Sequence, residues 1–154
     1  MKEKTNVTEA LAVFNQLYKE VDEIYHQYAK NHGISDTALW LLYSLYENSG
    51  TYTQRDVCAD WHYPPQTINS ALKSLEKQGV IVLEAVSGNQ KNKRIFLTDM
   101  GQEISRTVIA PLVLAEQRTF RRLQEEERAL LLSLTGKYVE LLQKEMNEDG
   151  TSLR

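Results

Sequence analysis

The sequence predicts a mostly α-helical subunit with one small β-hairpin, an α+β arrangement. Apolar side chains recur at steps of three and four along most of the chain, the pattern of helices that each bury one face. The period breaks once. There two short apolar runs, Val80-Ile81-Val82-Leu83 and Arg94-Ile95-Phe96-Leu97, enclose the polar stretch Ser87-Gly88-Asn89-Gln90-Lys91-Asn92, which has the chemistry of a hairpin turn. Hydrophobic residues at 42% and charged residues at 25% are enough for a core and argue against a disordered chain.

The elements follow in order. Val7, Leu11, Phe14, Tyr18, Val21, Tyr25 and Tyr28 mark one face of a long first helix over residues 7–31. Gly33 is placed to end it in the left-handed conformation. Ser35 or Asp36 caps a second helix through Trp40, Leu41, Leu45 and Tyr46, stopped by Asn48-Ser49-Gly50. Thr53, with Asp56 three residues on, resembles a capping box for a short third helix that runs to about Asp60. Trp61-His62-Tyr63-Pro64-Pro65 forms a turn, and Pro65 suits the first position of a fourth helix that reaches Gln78 and stops at Gly79. After the hairpin, Thr98 caps a long fifth helix interrupted by Pro111. A sixth helix, from about Glu125 to Met146, carries Leu130, Leu131, Leu134, Tyr138, Leu141 and Leu142 on its apolar side.

Short helix, turn, helix and hairpin in succession is the layout of a winged helix-turn-helix, here over about residues 35–99. The terminal helices, about 7–31 and 99–147, carry more apolar side chains than so small a unit can cover. Val7, Leu11 and Phe14, with Leu131, Leu134, Tyr138 and Leu142, are expected to pair two copies as a homodimer. A single enlarged core is the other reading.

Charge is distributed unevenly. The net charge is −3, which by itself speaks against a nucleic-acid partner. Yet residues 53–99 carry six basic and five acidic side chains, and residues 87–97 hold Lys91, Lys93 and Arg94 with no acid. Residues 1–10 lack the apolar centre of a secretion signal, and no apolar run approaches the roughly 20 residues of a membrane span. With one cysteine, Cys58, there is no intramolecular disulfide. The expected location is the cytoplasm, with no membrane partner.

At about 100° per residue, Ile68, Ala71, Leu72 and Leu75 fall on one side of the fourth helix. Gln66, Ser70, Lys73 and Lys77 fall opposite, flanked by Thr67, Asn69 and Ser74, with no acid before Glu76. Amides can bond adenine, threonine methyls meet thymine methyls, and lysine reaches guanine or phosphate. Taken alone, this helix fits an ordinary solvated face equally well. The hairpin decides between them, because a cationic loop beside a groove-sized helix can follow phosphates or enter a minor groove. The expected contacts to double-stranded DNA are Pro65, Gln66, Thr67, Asn69, Ser70 and Lys73 in the major groove. Thr53, Gln54 and Arg55 are expected to meet phosphate at the positive end of the third helix. Asn89, Lys91, Lys93 and Arg94 are expected to form the wing contact.

The run from Gln66 to Gly79, the hairpin, and then Leu97-Thr98-Asp99-Met100-Gly101 resemble the MarR family of bacterial transcription regulators over roughly residues 7–147. The resemblance implies an obligate homodimer on a pseudo-palindromic operator, acting as a repressor released by a small effector. Members commonly carry Asp-x-Arg in the wing; here the matching positions hold Asn89 and Lys91. Lys91 keeps the charge but lacks the planar fork of arginine.

Other residues invite alternatives. Cys58 could be an oxidant sensor or a buried structural thiol, and its position beside Val57 favours the second. His26, His32 and His62 have no metal-site spacing, and Asp60-x-His62 is weak alone. Neither a catalytic nucleophile with its base nor a phosphate-binding glycine loop is visible, so no enzyme activity and no cofactor are expected. Tyr18, Tyr25, Tyr28, Tyr43 and Tyr46 could line a cavity for an aromatic or phenolic effector, or fill core and interface. A winged-helix protein-interaction module that has given up DNA is the functional rival.

Overall fold

A computed structural model describes residues 6–148, with only the backbone described at Asn89 and Gln90. The chain forms two compact units divided between Pro111 and Leu112.

The first unit opens with α1 (Val7–Asn31), capped by Asn6, whose side chain accepts from the Thr8 N–H at 2.9 Å. Gly33 adopts φ +72°, and the N–H of Ile34 returns to the Ala29 carbonyl to close the helix end. Of α1, only Ala29 is buried. Ser35 caps α2 (Asp36–Leu45), which supplies the heart of the core through Leu39, Leu41, Leu42 and Leu45. Val57 of α3 (Gln54–Trp61), Ile68, Leu72 and Leu75 of α4 (Pro65–Lys77), and Ile81 and Ile95 of the hairpin complete it. The capping box of α3 is formed: Thr53 and Asp56 each accept from the other's backbone N–H. His62 makes the turn into α4 with φ +54°, a left-handed conformation uncommon for a residue with a Cβ.

The hairpin differs from its sequence expectation. β1 (Ile81–Val86) and β2 (Asn89–Leu97) extend well beyond the apolar runs, so the tip is Ser87-Gly88 alone, with Gly88 at φ +79°. Lys91, Lys93 and Arg94 therefore lie along β2 and not at the tip. The outer arms are held by ladder bonds with little burial, so they show no apolar alternation to read. Pairing runs from Ile81↔Leu97 to Ala85↔Lys93 and then jumps to Val86↔Asn89. The register thus shifts across residues 90–92, a bulge in β2 that bends the strand.

The far edge of β2 is also paired, a feature the sequence did not disclose. The N–H of Gly50 donates to the Ile95 carbonyl at 2.8 Å and the N–H of Ile95 to the Tyr52 carbonyl at 2.9 Å; Thr53 bridges Arg94. Gly50 stands at φ +80°, and a Cβ there would lie 2.7 Å from the Phe96 ring. This edge fastens the start of α3 to the wing.

Thr98 caps α5 (Asp99–Ile104), accepting from the Gly101 N–H while its hydroxyl donates to the Gly79 carbonyl at 2.5 Å. Before Pro111, residues Ser105–Ile109 widen into a π-helical turn that leads into α6 (Ala110–Arg122). A proline cannot donate to the carbonyl four residues back and its ring crowds that carbonyl. The wider turn just before it removes the conflict without breaking the helix.

In the second unit, α7 (Glu125–Glu148) follows a short turn that Arg128 ties by donating to the Phe120 and Leu123 carbonyls at 3.0 and 2.8 Å. No residue of α7 is buried in the single chain.

Candidate nucleic-acid interface

Three elements converge on one cleft of about 360 Å³, lined by Gln54, Arg55 and Cys58 of α3, Pro65, Ile68 and Asn69 of α4, and Lys91 and Asn92 of the β2 bulge. Each arrives for a local reason. The capping box fixes where α3 begins, Pro65 fixes the first turn of α4, and the register shift in β2 falls where Lys91 and Asn92 line the cleft.

On α4 the division expected from sequence is observed. Ile68, Leu72 and Leu75 are buried, whereas Gln66, Thr67, Asn69, Ser70 and Lys73 are exposed. Ala71, at the boundary, is half-buried. Pro64 offers no side-chain cap, which leaves donors of the first turn to water or an anion. Lys77 and Glu76 lie at the far end.

The α3 group divides by chemistry. The N–H and hydroxyl of Thr53 both donate to the Asp56 carboxylate, at 2.9 and 3.0 Å, so Thr53 is occupied in holding the helix start. Gln54 is half-buried and its Nε2 donates to Asn69 Oδ1 at 3.2 Å. Arg55 is exposed. On β2, Arg94 and Lys91 are exposed and Lys93 is half-buried; the side chain of Asn89 lies outside the described residues. The link between Gln54 and Asn69 was not expected from sequence, because fifteen residues and a turn separate them.

Cys58 is half-buried, and burial pushes its thiol above the ordinary range. The thiolate is the reactive form. Alkylation of Cys58 by iodoacetamide at pH 7 is therefore expected to run several-fold slower than that of a free thiol such as glutathione, and to approach it only at strongly alkaline pH. Equal rates at pH 7 would mean that some cation activates the sulfur.

Asp60 accepts a hydrogen bond from the Tyr52 hydroxyl, the main cause of that tyrosine's raised pKa. Among the described residues, no three of His, Cys, Asp and Glu gather as metal ligands. Tyr25, Trp40, Tyr43 and Trp61 pack ring on ring, with centroids 4.8 Å apart for Tyr25–Trp40 and for Trp40–Trp61, and Trp61 Nε1 donates to Ser44. These rings fill the space between α1, α2 and the turn into α4. No helix among the described residues is long and apolar enough to cross a membrane.

A model described as "MarR family" matches residues 32–91. Solved structures of MarR proteins share the fold over much more of the chain. The S. aureus MepR–DNA complex is 21% identical with a TM-score of 0.71, covering 85% of this chain and 96% of that one. A MarR family regulator from Neisseria meningitidis is 18% identical with a TM-score of 0.77, covering 91% and 98%. A putative MarR family regulator from Listeria monocytogenes, complexed with a 26mer DNA, is 21% identical with a TM-score of 0.69, covering 97% of each. No protein of curated function matches. The winged-helix fold expected from the sequence is therefore present.

Proposed function

We propose that the protein is a sequence-specific, duplex-DNA-binding transcription regulator that works as a homodimer. The observation that carries this reading is the convergence of an exposed α4 face with no acid before Glu76, the start of α3 and the Lys91 bulge on one cleft. A side chain that reads a base edge must stand proud of a rigid helix, with cations beside it to meet phosphate. In this reading Gln66, Thr67, Asn69, Ser70 and Lys73 enter the major groove, and Pro65 sets their angle. Arg55 and Lys91 meet phosphate, and Lys93, Arg94 and Asn89 track the wing side. Thr53 serves by fixing the α3 terminus. The DNA complexes of structurally similar MarR proteins support the assignment.

Pairing would set two α4 helices about one duplex turn apart, roughly 34 Å. Repression relieved by a small effector belongs to the same reading: a ligand that favours one spacing of the helices shifts the population away from the DNA-binding one. The dispersed acidic charge elsewhere on the chain repels duplex from the wrong faces.

A salt titration tests the core of the proposal. The logarithm of the association constant should fall linearly with the logarithm of salt concentration. Lys73→Ala and Lys91→Ala should each flatten the slope, by about 0.9 for every phosphate that the variant protomer no longer neutralises. Binding that ignores salt, or two variants with the wild-type slope and affinity, would favour a protein-interaction module instead.

A further inference from the structure

We propose that Gln54 is a positioning residue that sets which base Asn69 reads, an inference that rests on the DNA-binding proposal. Asn69 is exposed on α4, one turn beyond Pro65, and Gln54 opens α3 at its side. Gln54 Nε2 donates to Asn69 Oδ1 at 3.2 Å. Both line the cleft that Arg55 and Lys91 flank.

The consequence follows from hydrogen-bond inventory. A carboxamide recognises adenine by a pair of bonds, accepting from the N6 amino group through its oxygen and donating to N7 through its nitrogen. With Oδ1 turned to Gln54, Asn69 presents Nδ2, a donor. It then suits base edges that accept: guanine through O6 and N7, or thymine through O4. The adenine preference ordinarily expected of an asparagine on a recognition helix is suppressed by a side chain from the neighbouring helix. Gln54 is half-buried, and its bond to the Asn69 oxygen favours one orientation of the asparagine before DNA arrives.

The test is selection of bound duplexes from a random pool with the full-length protein. Asn69→Ala first identifies the symmetric pair of operator positions that Asn69 reads, because the base preference there disappears. At those positions the wild type should favour guanine or thymine over adenine. Gln54→Ala frees Oδ1, and the preference should move toward adenine by roughly 5-fold or more, within the range that a good bidentate contact discriminates. The slope with salt should stay the same, since every phosphate neutralised by the wild type is still neutralised. Gln54→Glu provides a second reading. A carboxylate only accepts, so it draws Nδ2 inward and exposes Oδ1. The preference should then pass to base donors, adenine N6 or cytosine N4, whatever the added charge does to total affinity.

A wild-type preference for adenine at those positions overturns the inference. So does an unchanged base preference in both Gln54 variants, or a Gln54→Ala effect that weakens all sequences equally. If the wild type enriches no sequence at all, the DNA-binding proposal itself has failed and this one falls with it. The two failures are thereby told apart.

Discussion

A Gly101→Ala variant is expected to lose about 3 kcal/mol of stability, near the upper end of the usual range for overpacking. The glycine sits in the first turn of α5, where the helix meets the end of α4 and the base of β1. A Cβ at residue 101 would lie 2.1 Å from the Val80 carbonyl oxygen and 3.1 Å from Leu97 Cδ2. The nearest obstacle is backbone, and that carbonyl already accepts from the N–H of Thr98 at 3.1 Å. Moving it would break the cap of α5 together with the join between α4 and the hairpin. The intrinsic helix preference of alanine, about 1 kcal/mol over glycine, acts the other way and is smaller. Gly136→Ala isolates that preference, because nothing lies within 4 Å of its Cβ position. It should raise the melting temperature slightly, whereas Gly101→Ala should lower it by about 6–12 °C for a chain of this size. Thermal melts followed by circular dichroism give both numbers. Equal melting of Gly101→Ala and wild type would show that the α5 terminus shifts freely and that the Leu-Thr-x-x-Gly run does not depend on a bare Cα at this position.

That run also shows what a sequence can and cannot disclose. Thr53 with Asp56, Ser35, Thr98 and the glycines after α1 and α4 announce helix ends because capping is local chemistry within four residues. The buried stripe of α4 is equally plain, since Ile68, Leu72 and Leu75 repeat at helical spacing. The paired edge at Gly50–Thr53 is different. It is too short for alternation, and its partner lies more than forty residues away on β2. The bulge at residues 90–92 is set by a register jump, which no single residue type encodes. The π-helical turn at Ser105–Ile109 answers a proline that lies after it, so the sequence marks the conflict but not the form of its resolution.

The candidate site was legible in its residue types and less so in its couplings. Exposed amides and lysines on α4 follow from helical phase. That Gln54 holds Asn69 depends on two helices meeting across a turn in which His62 takes a left-handed backbone. Position in sequence cannot supply that geometry. Spacing alone therefore shows which side chains gather at the cleft but not which of them bond one another.

Placing a carboxylate on the apolar side of α7, as in Leu134→Glu combined with Leu142→Glu, is expected to separate the protomers and remove most operator affinity. In the single chain Leu131, Leu134, Tyr138 and Leu142 are all at least 37% exposed, and on α1 Leu11, Phe14, Tyr18 and Val21 are likewise uncovered. Fully burying a leucine contributes about 1.5–3 kcal/mol, and in a twofold interface each substitution acts twice. Four glutamates brought out of water would therefore outweigh the apolar gain several times over, since a buried unpaired charge is among the costliest changes a protein can carry. The wild type should sediment as a dimer at low micromolar concentration and the variant as a monomer with unchanged helix content. Because the second half-site is bound at high effective concentration once the first is held, a protein unable to pair should bind a full operator about 10²–10⁴-fold more weakly. Binding to an isolated half-site should change far less. A variant that remains dimeric would place the interface elsewhere. A monomeric wild type with full operator affinity would remove pairing from the mechanism and leave the exposed faces of α1 and α7 to some other partner.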